Sequence, residues 1–275
     1  MSTDRIAVSS WSLHRRLGVT FPHDLDTRAV GPRQETFGAP AIALVELPQE
    51  VARHEIQRLE LCSFHLAERG AGYLDDLRGA LADAGVALQT LLIEAGDISD
   101  ANTTRRDRRW ITDWVETAVM LGAENARVIA GKQKAGPDTL ARSAEALLEI
   151  ANNHAGAPIN IVTENWFDLL ATPSDVLDLL DRTEGQIGLN ADFGNWQGAG
   201  KYDDLAEIFG RASLCHAKAY FAGGKLDERD YGRCIEVAEE AGYTGPYTLI
   251  FDSESPAEWD GVIREKEFVL SQLGA

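Results

Sequence analysis

Eight short aliphatic and β-branched runs recur along this chain, and a stretch of helical periodicity follows each one. The runs cover residues 5–10, 58–64, 88–94, 126–130, 159–164, 186–191, 213–218 and 247–251. Between them, apolar residues fall three and four apart. Leu74, Leu77 and Leu81 do so in 73–84, Leu140, Ala144, Leu147 and Leu148 in 138–154, and Val176, Leu177 and Leu180 in 174–181. Pro173 and Ser174 open one helix, and Gly85 and Gly242 stand where a helix ends before the next strand. Strand–helix alternation predicts a parallel sheet, because parallel strands need a crossover that a helix supplies. An open doubly wound sheet meets that requirement, but eight units in 275 residues fit a closed (β/α)8 TIM barrel better. No Ser/Gly/Pro-rich linker interrupts the series, so a single domain over 1–275 is expected.

One connection is long. Between Ser10 and Arg58 only 48–55 reads clearly as helix, and 17–40 carries Pro22, Gly31, Pro32, Gly38 and Pro40. Loops of this kind in compact domains often cover a binding site. The first βα loop, about 12–47, is therefore read as a lid or, alternatively, as an insertion without a role in binding.

Charge and cysteine usage narrow the function. With 44 acidic against 26 basic residues the net charge is −18, which disfavours broad contact with phosphate backbones or anionic lipid. Neither nucleic acid nor membrane is an expected partner. No run of about 18 apolar residues occurs, and the first residues lack an apolar signal region. Cys62, Cys215 and Cys234 are widely spaced without a CxxC, which fits buried packing thiols in a cytoplasmic protein. Arg105, Arg106, Arg108 and Arg109 begin a helix that continues through Trp110 and Trp114, and they read as a solvated face or a subunit contact. A homo-oligomer is left open. Gly223-Gly224-Lys225 lacks the spacing of a P-loop.

The chemistry-bearing residues cluster at strand ends, where a barrel places its active site. Strand five ends in Glu164, strand six in Asp192, strand seven in His216 and strand eight in Asp252. Side chains alternate with period two, so these four can share the mouth. Three carboxylates and an imidazole in one mouth repel one another unless a cation joins them. Oxygen-rich ligands with one nitrogen suit Mn2+, Mg2+ or Co2+ better than tetrahedral zinc. The predicted metal ligands are Glu164, Asp192, His216 and Asp252, with Glu254 as the alternative to Asp252.

TEN at 163–165, ADFGNW at 191–196 and HAK at 216–218 resemble the xylose isomerase-like TIM-barrel superfamily. So do SSWSLH at 9–14, LELCSFH at 59–65 and GYTGP at 242–246. The resemblance implies one divalent cation held by Glu164, Asp192, His216 and an acid from strand eight. In such isomerases and epimerases the metal binds adjacent sugar oxygens and stabilises the enediolate formed when a proton leaves the carbon beside a carbonyl. Glutamates on strands five and eight act as acid and base. One ring nitrogen of His216 would take the metal while an acceptor fixes the other. At strand eight the chain departs from the pattern. Alignment on Gly245-Pro246 puts Ile250 where many relatives carry glutamate, and Asp252 lies one pleat further on.

The expected function is therefore a divalent-metal-dependent sugar isomerase or epimerase. A lyase or dehydratase acting on a keto-sugar is the alternative, since elimination survives the loss of a second base more easily. A catalytically degenerate barrel with a binding role is the third reading. The superfamily also holds AP-endonuclease-type nucleases, but six histidines are few for a multi-metal cluster. The expected catalytic residues are Glu164, Asp252, His65 and Lys218. Trp11, His14, Glu94, Asn195 and Trp166 are expected to contact substrate. Each has a plainer reading: a capped loop for His65 and His14, a helix cap near Glu94 and Asp97, an ion pair with Asp192 or Asp252 for Lys218, and core packing for Trp11, Trp166 and Trp196. Neutral or keto-sugars are favoured over phosphorylated ones.

Overall fold

A computed structural model describes residues 3–274. Eight parallel strands close into a barrel: β1 Ile6–Ser9, β2 Arg58–Cys62, β3 Ala87–Ile93, β4 Asn125–Val128, β5 Asn160–Glu164, β6 Gly188–Asp192, β7 Ala212–Ala219 and β10 Tyr247–Phe251. The ring is completed where β1 pairs with β10, Ile6 opposite Tyr247. Helices α2 Leu47–Arg53, α3 Ala71–Ala84, α4 Thr104–Leu121, α5 Pro137–Asn153, α6 Pro173–Arg182, α7 Lys201–Phe209, α8 Glu228–Glu240 and α9 Glu258–Gln272 alternate with them, after a single turn, α1, at His14–Leu17. This is the (β/α)8 architecture that the strand–helix alternation demands.

The helix stops lie where their glycines predict. Gly85 adopts φ 65°, and its N–H reaches the Leu81 and Ala82 carbonyls. At the start of α6, the Thr172 side chain accepts from the Asp175 N–H and Pro173 occupies the first turn. Several strand boundaries move by one or two residues from their sequence positions, two of them for a visible local reason. β4 stops at Val128 rather than 130, and the Ala130 carbonyl is taken by the Ser143 hydroxyl at 2.6 Å. β6 begins at Gly188 rather than 186 because the Gln186 N–H closes the turn after α6 onto the Thr183 carbonyl, and the strand runs on to Asp192.

The strands carry two different faces. Leu59, Leu61, Ala126, Val128, Leu189 and Ala191 belong to the continuous apolar core. The opposite parity holds polar side chains that are also buried, among them Glu60, Gln89, Arg127, Asn190 and Thr248. Glu60 on β2 touches His216 on β7, strands separated by β1 and β10 in the ring, so that contact crosses the barrel interior. The axis of the barrel is thus polar, and the apolar core lies between strands and helices.

The long first loop has structure of its own. Thr20 bridges Gln34 and His23 bridges Val30 in antiparallel sense. His23 packs on Trp110 and Trp114, with ring centroids 5.0 and 4.7 Å away, and burial lowers its pKa to about 4. Phe37 lies 4.2 Å from the His14 ring and edge-on to Trp11. After β7, Phe221–Ala222 (β8) and Lys225–Leu226 (β9) form a hairpin whose turn is Gly223-Gly224, at φ 56° and 75°. A two-residue turn with both φ positive suits glycine, so the Gly-Gly-Lys stretch is a turn. Among the described residues no helix is long and apolar enough to cross a membrane.

All three cysteines are free and buried, and burial raises each thiol pKa, that of Cys234 to about 12. Because the thiolate is the reactive form, the native protein should resist a disulfide-exchange reagent such as DTNB at pH 8. The urea-unfolded chain should titrate all three thiols at once.

Candidate active site

The site is built where β5, β6 and β7 end side by side. Glu164 pairs in register with Asn190, and Asp192 with His216, which brings the three strand-end side chains into one layer. Glu164, Asp192 and His216 each offer one buried ligand atom, and these atoms all lie within 4.8 Å of one another. His216 Nδ1 is 3.5 Å from Glu164 Oε2 and 3.5 Å from Asp192 Oδ2. Ligands at about 2.1 Å from one octahedral cation stand about 3 Å apart, so a small contraction seats an ion.

Each carboxylate has one oxygen committed and one turned to the cluster. Asp192 Oδ1 accepts the N–H groups of Gly194 and Asn195 at 2.5 and 2.9 Å, leaving Oδ2 beside His216. Asn195 Nδ2 donates to Glu164 Oε1 at 2.7 Å, while Glu164 Oε2 is buried without a hydrogen-bond partner. Asn165 locks the two strand ends together, donating to the Asp192 carbonyl and accepting from the Asp192 N–H.

Behind the cluster, His216 Nε2–H donates to Glu60 Oε2 at 2.9 Å. Gln89 Nε2 donates to Glu60 Oε1 at 3.0 Å and to Thr248 Oγ1 at 2.9 Å. With Nε2 committed, Nδ1 is the ring nitrogen that faces Glu164 and Asp192. A carboxylate behind a histidine is the usual device for orienting a metal ligand. The donor set and the orientation of His216 fit a divalent cation.

Two arginine contacts complete the electrostatics. Arg127 is buried, places Nη2 2.6 Å from Glu94 Oε1 and Nε 3.2 Å from Glu164 Oε2, and lies 5.2 Å over the Trp166 ring. Burial opposes charge on Glu164, but His216 and Arg127 outweigh it and hold its pKa at about 2. Burial likewise opposes charge on His216, yet Glu164 and Glu60 raise its pKa well above 6.5. Burial raises the Glu94 pKa against the pull of Arg127.

A cavity of about 160 Å³ opens over the cluster. Of the residues expected there, Glu164, Asp192 and His216 form its floor, and Trp11, Glu94, Trp166, Asn195 and Lys218 line it. The structure leaves the others outside the lining. Asp252 lies beyond the end of β10, with a side chain 37% exposed and Oδ2 2.6 Å from Lys218 Nζ; Ile250 is the β10 residue that lines the cavity. Shared parity does not bring Asp252 into the cluster because the strand has ended and Lys218 captures the carboxylate. Glu254 is exposed. His65 follows a strand that stops at Cys62 and turns into a 3-10 turn, Ser63–His65, so its parity with Leu61 is lost. It bonds Ser10 Oγ at 3.0 Å, borders a separate cavity beneath the first loop, and burial lowers its pKa to about 3. His14 is buried against Phe37, 2.5 Å from the Trp11 carbonyl. Trp196 donates to the Leu170 carbonyl in the core, and Asp97 accepts from Ser99 in its own loop and from Lys132 and Gln133 in the loop after β4.

Glu60 and Arg127 are the site residues that strand-end reasoning overlooks. Their signal is in the pattern of their strands. Leu59-Glu60-Leu61 and Ala126-Arg127-Val128 each set a charge between two apolar residues, and that parity faces the barrel axis.

A family model described as xylose isomerase-like TIM barrel matches residues 38–267. The chain belongs to the xylose isomerase-like TIM barrel family. No curated protein matches it in sequence. Among solved structures, this xylose isomerase-like barrel is similar to one from Mycobacterium smegmatis in complex with magnesium, at 18% identity and TM-score 0.71, covering 99% of this chain and 98% of that one. It is also similar to an L-ribulose 3-epimerase (16%, TM-score 0.72, 98% and 94% covered). A third is the 3-keto-D-glucoside 4-epimerase from E. coli (13%, TM-score 0.64, 85% and 95% covered). At these identities the likeness concerns the fold.

Two outcomes follow from the geometry. Because Glu164 and Glu60 raise the His216 pKa, a cation taken up at Nδ1 competes with a proton there. Mn2+ affinity should therefore rise with pH by up to about tenfold per unit until His216 loses that proton unaided, with about one proton released per ion in calorimetry across buffers of different ionisation heat. Glu60→Gln should weaken Mn2+ binding about 10- to 100-fold by loosening His216. Asp252→Asn, removing a carboxylate outside the cluster, should change it less than about twofold in the same titration.

Proposed function

We propose that this barrel is a divalent-metal-dependent enzyme that isomerises or epimerises a small sugar or keto-sugar by moving a proton at the carbon beside a carbonyl. The observation that carries the reading is the pair of carboxylates, Glu164 and Asp192, each with one oxygen tied and the other aimed at His216 Nδ1. Glu164, Asp192 and His216 would hold a Mn2+, Mg2+ or Co2+ ion, which would supply Lewis acidity to the site.

The remaining roles belong to the chain itself. Glu164 and Glu94 both face the cavity and are bridged by Arg127, so each is placed to take up or return a proton. Asn195 fixes Glu164 and presents its amide to the cavity. Trp11 and Trp166 wall the cavity and suit the apolar face of a sugar ring. Lys218, held by Asp252, places an ammonium at the edge of the cavity, where it can balance a developing oxyanion. The family resemblance and the epimerases of the same fold support a sugar as substrate.

Ile250 favours a second reading. The β10 side of the mouth offers an aliphatic side chain and a Lys218–Asp252 pair in place of a free carboxylate. A lyase or dehydratase needs one base and an acid for the leaving hydroxyl, and Lys218 can serve as that acid.

The test is incubation of the Mn2+-loaded protein in D2O with a panel of ketohexoses and 3-keto-glucosides, read by mass spectrometry and NMR. Deuterium entering beside the carbonyl without loss of water marks isomerisation or epimerisation, and loss of water marks the dehydratase. Glu164→Gln should slow exchange by about 10²–10⁴-fold. Full-rate exchange in that variant overturns the reading.

A further inference from the structure

We infer that the cavity is divided into a polar half and an apolar half, and that the preferred substrate is a ketose ending in a methyl group. Such a deoxy-ketose is favoured over one that carries a hydroxyl at its far end. This rests on the sugar reading above and deepens it.

The division follows the strand order of the barrel. Glu94, Arg127, Glu164, Asp192, His216 and Lys218 line the cavity from β3 round to β7. The remaining arc of β10, β1 and β2 faces the cluster across the mouth, since β2 stands opposite β6 in the eight-stranded ring. There the lining includes Ile250, Trp11, Cys62 and Phe64, and Leu92 on β3 continues it. Leu92 pairs in register with Cys62, and the Trp11 and Phe64 rings meet edge-on with centroids 6.3 Å apart. Among the described residues no charged side chain lines this arc, and its one hydroxyl, on Ser9, already accepts the Trp11 N–H at 3.2 Å. Trp166 is the apolar residue on the polar arc, and Arg127 lies over its ring.

Burial argues the same way. Cys62, Leu92 and Ile250 are buried, yet none of them belongs to the continuous apolar core between strands and helices. Cys62 and Ile250 share the parity of Glu60 and Thr248, and Leu92 lies beside Cys62, so all three turn to the barrel axis. Their apolar surface therefore faces the cavity and not the core. At about 160 Å³ the cavity is smaller than the roughly 300–1,000 Å³ of sites for drug-sized ligands, so a ketose whose carbonyl end meets Glu164, Asp192 and His216 presses its far end on this wall. A hydroxyl there loses its bonds to water and finds no partner in exchange. A methyl group in the same place leaves water at no such cost and gains from burial.

The probes are ketohexoses paired with their 6-deoxy counterparts, in the fructo, tagato, sorbo and psico configurations of both series. The members of a pair differ in one terminal hydroxyl. Their Kd values are measured by calorimetry on the Mn2+-loaded parent and on Ile250→Thr and Ile250→Val. In the configuration that the parent binds most tightly, the 6-deoxy sugar should bind about tenfold more tightly than its partner. Ile250→Thr sets a hydroxyl in the wall and should reduce that advantage to within about threefold, whereas Ile250→Val keeps the wall apolar and should retain it. The ring forms that each sugar adopts in water are common to the three titrations and cancel between them. A 6-deoxy sugar that gains nothing in the parent overturns the divided cavity but leaves the sugar reading standing. So does an advantage that survives in Ile250→Thr, or one that is lost equally in Ile250→Val. If no sugar of the panel binds the Mn2+-loaded parent, the sugar reading falls and the divided cavity with it.

Discussion

The contact between His216 and Glu60 across the barrel axis governs the rest of the site. Each residue comes from a strand that the other does not touch, so the pair forms only when the barrel is closed and in register. An uncompensated buried carboxylate costs several kcal/mol, roughly 3–5 when one partner of a buried pair is removed. Glu60 avoids that penalty by meeting His216 on one oxygen and Gln89 on the other. Arg127 has the same role in the next layer up, where it meets Glu94 and Glu164 together. Closure of the fold and assembly of the polar axis are one event, and the layer of Glu164, Asp192 and His216 rests on top of it.

Much of this was legible in the sequence, for physical reasons. Strand–helix alternation is forced by the crossover requirement, so the barrel can be read from periodicity. Glu164, Asp192 and His216 could be read because parallel strands in register put their C-terminal ends in one plane. What failed was extrapolation past a strand end. Period-two parity is a property of extended backbone, and it lapses where β2 turns at Ser63 and where β10 stops at Phe251. The structure sets His65 and Asp252 apart from the cluster for that one reason. Glu60 and Arg127 were hidden for another. A strand with both faces buried is usually read as an unbroken apolar run, and a charge within one looks like noise until its partner across the barrel is known.

Strand eight separates this chain from the pattern its family resemblance implies. With Ile250 lining the cavity and Asp252 tied to Lys218, the group that could hold a cation is two carboxylates and one imidazole, without a residue from β10, among the described residues. A three-ligand arrangement leaves more of a cation's coordination sphere to solvent or substrate than a four-ligand one. It also shifts the acid–base inventory towards β3–β5, where Glu94, Arg127 and Glu164 form a connected row.

The division of labour within each carboxylate has a further consequence. Because Oδ1 of Asp192 and Oε1 of Glu164 are already anchored by neighbouring amides, the liganding oxygens have no rotamer search left to make. An arriving ion meets a socket whose outline is already drawn. Filling it then means stripping water from the ion as well as displacing the His216 proton, and magnesium, which sheds its hydration shell reluctantly, should enter more slowly than manganese.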